Sequence, residues 1–176
     1  VVPFATGVQI DWRRRVVEVE SIVVLRHGPL ELLACRPNTR EHESILMVRA
    51  RAVHLYQAMG LIGLTPGSPA RFDVEKEKWI APDGDALDLR ACWEAEDGKR
   101  CVPVEHWLVD VERRRPPDAV PWVFAGSRTL EDGRFGADME GTVVCVVDFD
   151  TALITVGALH SADNELLWLA ANPETI

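Results

Sequence analysis

Residues 142–149 read Thr-Val-Val-Cys-Val-Val-Asp-Phe, an apolar run with no alternation. A half-buried strand alternates wet and dry side chains, so a run of this kind predicts a strand covered on both faces and central in its sheet. The chain must then supply cover for both faces. Most of what surrounds the run is itself β-like. Val8 to Trp12 and Val16 to Leu25 read as strands joined by a tight hairpin through Arg13-Arg14-Arg15, and Glu18 and Glu20 alternate with Val17 and Val19 to give one wet face. Leu30 to Cys35 and Ser44 to Val48 read as a further strand pair. Arg71 to Val74, Leu87 to Ala95, Arg100 to Val104, Trp122 to Ser127, Leu153 to Val156 and Leu166 to Ala171 complete the strands, with Lys76 to Gly84 a charged loop around Trp79. His106 to Val109 suits a strand or a single helical turn.

One helix is expected, from Ala50 to about Ile62. Ala52, Leu55, Met59 and Ile62 recur at helical spacing as a core stripe, Gly63 stops it, and Thr65-Pro66-Gly67-Ser68-Pro69 breaks the chain. The sum predicts a single α+β domain over 1–176, mainly antiparallel sheet with one principal helix.

With 176 residues, 47% hydrophobic and 27% charged, the chain can bury one sizeable core, and disorder is a poor description. Its net charge of -9 argues against nucleic acid as a partner, which needs a basic face. The arginine clusters at 13–15 and 113–115 sit beside acids and read as solvated turns. No run approaches the roughly 18 apolar residues that span a bilayer. The chain opens on Val1-Val2-Pro3 without an initiating Met, which reads either as a trimmed chain or as a processed protein whose targeting segment has been removed.

The cysteines are Cys35, Cys92, Cys101 and Cys145, with no C-x-x-C pair, so no iron–sulfur cluster is expected. A hairpin turning at Asp97-Gly98 sets Trp93 against Val102 and places Cys92 and Cys101 on the other face as diagonal neighbours. That is the upper limit for a disulfide, so two separate thiols are expected there.

The densest chemistry lies in Ala34-Cys35-Arg36-Pro37-Asn38-Thr39-Arg40-Glu41-His42-Glu43-Ser44. If the flanking strands close this loop end to end, Cys35 meets His42. The pair then suits a divalent metal, with a carboxylate from Glu41 or Glu43 and with His54 from the helix, or an activated thiol. The bland alternative buries Cys35 as a small hydrophobe and uses Glu41 and Glu43 to lock the loop, through backbone N–H groups or through Arg36 and Arg40. On a strand His42 and Ser44 share a face and Glu43 opposes them, so a triad needs a carboxylate from elsewhere, such as Glu31 or Asp148. His54 lies one position off the core stripe and reads as half-buried. Ser127, at the end of Phe124-Ala125-Gly126-Ser127, offers a hydroxyl at a strand end, with close packing the favoured use of its small neighbours. Asp148 and Asp150 read as a strand-ending turn, and the six tryptophans as mostly core.

The Ala34–Ser44 segment resembles the A-C-x-P-x-T-[KR]-E-H-E-S segment of the YdjY-domain family. Trp122 to Ser127, Gly141 to Leu153, Leu167-Trp168 and Ala171-Asn172 are similar to its later blocks. The resemblance implies a bacterial and often exported domain, and it supplies no catalytic residue to carry over. The leading expectation is a non-catalytic ligand-binding or accessory domain of an exported or periplasmic protein, with a cytoplasmic location left open and a small molecule or another protein as partner. Its candidate binding residues are Cys35, Arg40, Glu41, His42, Glu43, Ser44 and Ser127. The alternative is a small metal- or thiol-dependent enzyme using Cys35 and His42, with His54 as a further metal ligand.

Overall fold

The computed structural model describes residues 1–162 and 168–171. Its centre is a seven-stranded sheet in the order Ala86–Leu87, Trp122–Val123, Ile154–Val156, Val144–Cys145, Leu32–Cys35, Ser44–Val48, Ser21–Val23. Antiparallel pairing dominates, with two exceptions. Val144–Cys145 runs parallel to Ile154–Val156, and Leu32–Cys35 runs parallel to Ser44–Val48. A three-stranded sheet of Val2–Ala5, Val8–Asp11 and Val16–Val19 carries the predicted hairpin. A second three-stranded sheet joins Leu108–Asp110, Trp168–Ala171 and His27–Leu30.

The principal helix α1 spans Ala52–Leu61 and buries Ala52, Leu55 and Met59, with Ile62 just beyond its end, as the stripe predicts. It lies against Val8–Asp11, Val16–Val19 and a short second helix, α2, at Gly136–Glu140. Tyr56 of α1 meets Phe124 and Phe135 edge to face, with ring centres 5.5 and 5.7 Å apart. Arg15 lies in an exposed turn, as expected, and from there donates from Nε to Ile62 O (2.9 Å) and caps the C-terminus of α1. Among the described residues no helix is long and apolar enough to cross a membrane.

Several expected elements differ in detail. The 142–149 run is central and is buried through Val147, yet only Val144–Cys145 stays in the ladder, because the N–H groups of Val146 and Val147 both turn to Glu31 O. Glu31 also divides the expected Leu30–Cys35 strand between two sheets. The expected Val16–Leu25 strand likewise breaks at Glu20, whose N–H bonds Gly7 O, and Ser21–Val23 continues as an edge of the large sheet. Lys78–Ile80, expected in a loop, pairs with Arg71–Asp73, and Phe72 packs on Trp79 across that exposed hairpin. Trp12 and Trp79 are 51% and 56% exposed, whereas Trp107 and Trp122 are core. His106 falls in a 3-10 turn at Val104–Trp107, and Leu108–Asp110 follows as strand. Leu166, Leu167 and Asn172 lie outside the described residues.

The expectation of two separate thiols at Cys92 and Cys101 is overturned. Arg90–Ala95 and Gly98–Pro103 turn through Glu96-Asp97, and Gly98 opens the returning strand with φ +117°. The pairing therefore moves by two residues. The faces stay as predicted, but diagonal neighbours become direct partners, and Cys92 is disulfide-bonded to Cys101.

Candidate functional site

The parallel register of Leu32–Cys35 and Ser44–Val48 shapes the candidate site. Leu32 opposes Ser44 and Cys35 opposes Met47. Residues 36–43 must therefore run back along the whole strand, a task usually given to a dozen or more residues. Arg36 fastens the start of this crossover. Its N–H donates to Gly141 O (3.2 Å), and its Nη1 donates to Ala50 O (2.8 Å) and Arg49 O. Asn38 takes a left-handed φ of +61°, a conformation asparagine tolerates. The Glu41 carboxylate accepts the N–H groups of Asn38 and Thr39, and the Thr39 hydroxyl donates to Arg36 O (2.6 Å). Burial raises the Glu41 carboxyl, but those backbone donors outweigh it and hold the group below the usual glutamate range.

The crossover ends in a 3-10 turn at Glu41–Glu43 beside Glu31. Arg40 Nη1 bonds Glu31 Oε2 (3.1 Å) and Glu43 Oε1 (2.7 Å), and its guanidinium lies 4.6 Å from the centre of the Phe149 ring. His42 Nε2 is 3.6 Å from Glu43 Oε2. Burial pushes the Glu31 carboxyl up, and the neighbouring charge of Glu43 and a hydrogen bond with it push in the same direction, against Arg40. α2 supplies the opposite wall through Met139 and Glu140, with Asn38 and Thr39 at the rim, and the cleft so formed is open and about 440 Å³ in volume. Glu140 is oriented from below. Its Oε2 accepts from Thr151 Oγ1 (2.8 Å), and the buried Thr142 hydroxyl donates to Thr151 O (2.9 Å).

The expected Cys35–His42 corner does not form. In a parallel pair the ends of the connecting loop lie a strand length apart, about 10 Å for three residues. Cys35 is 0% exposed, packs with Leu32, Cys145 and Ala152, and burial raises its thiol pKa, whereas the His42 side chain is 78% exposed. Burial also raises Cys145, strongly. His54 is half-buried on α1 and does not line the cleft. Among the described residues no group of three or more His, Cys, Asp and Glu side chains is placed to hold a metal. Ser44 is buried, and its hydroxyl donates to Leu46 O (2.9 Å). The Ser127 hydroxyl donates to Thr151 O (2.7 Å) and accepts the N–H of Ala137 (3.0 Å), so it secures the start of α2. Asp148 Oδ2 accepts the His160 N–H (2.9 Å), and Asp148 stands apart from the cleft.

The structure thus gathers Arg40, His42 and Glu43 and leaves Cys35, Ser44 and Ser127 to packing. In the sequence Glu31 stands out only as a possible triad partner. Glu140 does not stand out at all, since a lone glutamate on a five-residue helix carries no periodic signal.

One consequence is testable through acidity. A carboxyl whose folded pKa is raised is destabilising once it ionises, so its cost grows as pH rises above the ordinary value of 4.5. Glu31→Gln is expected to be at least as stable as the parent at about pH 7, with the advantage fading at about pH 3.5, when denaturant unfolding is compared at both.

No curated protein and no solved structure matches this chain. The model of the YdjY domain matches residues 8–176, which include the crossover, both walls of the cleft and the whole central sheet, and the protein belongs to the YdjY-domain family.

Proposed function

We propose that this domain is a non-catalytic binding module of an exported bacterial protein, and that the cleft between the 36–43 crossover and α2 takes a small cationic ligand such as an alkyl amine. The observation that carries the reading is the charge on the cleft walls. Glu31, Glu43 and Glu140 bring three carboxyl groups against the single guanidinium of Arg40, which two of them already engage. An ammonium group meets unfilled acceptors there, in a cleft within the ordinary size range of ligand sites. The thiols of Cys35 and Cys145 are buried away from the opening, which favours binding over covalent chemistry. The Cys92–Cys101 disulfide supports an oxidising compartment, and so export.

The test is titration of isotope-labelled protein with small mono- and diamines, with neutral polyols as controls. Saturable amide shifts on Asn38 to Glu43 and on Glu140 are expected with the amines, and Glu43→Gln should weaken binding by about tenfold, the worth of one charge-assisted hydrogen bond. Equal, non-saturating responses to amines and polyols would sink the reading.

A further inference from the structure

The Cys92–Cys101 hairpin is built differently from the rest of the molecule. Among the described residues, Arg90–Ala95 and Gly98–Pro103 form a ladder only with each other. A two-stranded ribbon is marginal in water, so its order depends on what its inner face packs on and on any cross-link. Ala91, Trp93 and Val102 are the half-buried side, with Trp93 5.8 Å from the buried Trp107. Both cysteines are exposed on the outer side. The pairing Arg90↔Pro103, Cys92↔Cys101, Glu94↔Lys99 surrounds them there with two cations and one carboxylate. Arg90 reaches across the ladder, its Nη2 3.5 Å from Cys101 O. The remaining cysteines, Cys35 and Cys145, are fully buried.

From this placement we infer that Cys92–Cys101 is a reversible thiol-exchange site for a dithiol reductant, and that reduction releases the 90–103 hairpin while the central sheet stays folded. Exposed disulfides are the exchangeable ones, because the attacking thiolate must reach a sulfur in line with the bond. The reductant's thiolate attacks Cys92 Sγ, a bond forms between those sulfurs, and the Cys92–Cys101 bond breaks. The electron pair leaves on Cys101 Sγ, where Lys99 and Arg90 stabilise the thiolate before it takes a proton from water. The second thiol of the reductant then attacks the mixed disulfide and releases Cys92 as a thiol, leaving the reductant as its own disulfide. The protein gains two electrons and two protons.

The experiment is reduction of the native full chain with dithiothreitol, followed by N-ethylmaleimide labelling, peptide mass analysis and hydrogen exchange. Cys92 and Cys101 are expected to label while Cys35 and Cys145 stay unlabelled. Exchange protection should fall about tenfold or more across 90–103 and stay unchanged in Leu32–Cys35 and Ser44–Val48. Oxidised dithiothreitol should restore the parent pattern, and Cys92→Ser/Cys101→Ser should show the same local loss without reductant. Labelling of Cys92 and Cys101 only together with Cys35 and Cys145 overturns the proposal, since the bond would then open only on global unfolding. Labelling with no loss of protection in 90–103 overturns it as well.

Discussion

Asp138→Ala is expected to lower the free energy of unfolding by about 3 kcal/mol, a large effect for a single substitution outside the apolar core. Helix α1 starts at Ala52 with no side-chain cap of its own, because Arg51 stands at the cap position. The missing acceptor comes from α2. The Asp138 carboxylate, 8% exposed, takes the N–H groups of Ala52 (2.6 Å) and Val53 (3.3 Å). A carboxylate there also meets the positive end of the helix dipole. The same oxygens lie 3.5 Å from Arg36 Nε and 3.6 Å from Arg51 Nε. Arg36 Nε is buried and has no hydrogen bond, so its charge depends on Asp138 for compensation. Alanine leaves two helix donors without an acceptor and the half-buried Arg36 without its carboxylate, and their costs combine to the figure above. Asp138→Asn, which keeps an acceptor and loses the charge, should cost about half as much. Equilibrium denaturation checks both. A loss below about 1 kcal/mol for Asp138→Ala would mean that water replaces the cap at no cost and that the junction of α1, α2 and the crossover is not held by this carboxylate.

Gly141→Ala is expected to cost about 3–4 kcal/mol and to abolish the amine binding proposed for the cleft. Gly141 ends α2 in a left-handed conformation, φ +79°, with its N–H on Ala137 O (3.1 Å). A side chain at this φ is strained by about 1 kcal/mol on its own. The larger part is contact. A Cβ would stand 2.1 Å from Thr39 Oγ1 and 2.5 Å from Thr39 Cβ, on a crossover held against this same residue by the Arg36 N–H. Alanine must push the crossover away from α2, which separates Asn38 and Thr39 from Glu140. Thr39→Gly in the same chain should recover the contact part and leave the φ part, so the two substitutions are expected to be strongly non-additive. Simple additivity in denaturation, with binding retained, would refute this close contact as the source of the loss.

Both predictions concern contacts between segments about a hundred residues apart in the chain, and that separation marks how far sequence patterns reach. Local periodicity placed α1, its core stripe, the N-terminal hairpin and the central position of Val144–Cys145. These rest on neighbours a few positions apart, where burial and side-chain period are directly coupled. Turn position was less legible. Asp97-Gly98 suggested the loop, but the ladder closes at Ala95 and Gly98, and the two-residue difference separates two diagonal thiols from a disulfide. Face parity survived because it depends on alternation. Register did not, because it is set by the turn geometry and by packing on the core.

At the candidate site, the polar segment 34–44 supplies Arg40, His42 and Glu43 to the lining of the cleft. The expected partnership within it was different. Cys35 and His42 are seven positions apart, and whether such residues meet depends on the relative direction of the flanking strands. Alternation is identical in parallel and antiparallel strands, so the pattern carries no information on that choice. The chain's own residues dictate the α+β class, the helix and the location of its polar loop, because each follows from side-chain period and turn chemistry over short windows. The parallel crossover, the Glu31–Arg40–Glu43 cluster, the Glu140 wall and the cap from Asp138 arise only when distant segments pack, since their energies come from burial and charge pairing between groups that no local window contains.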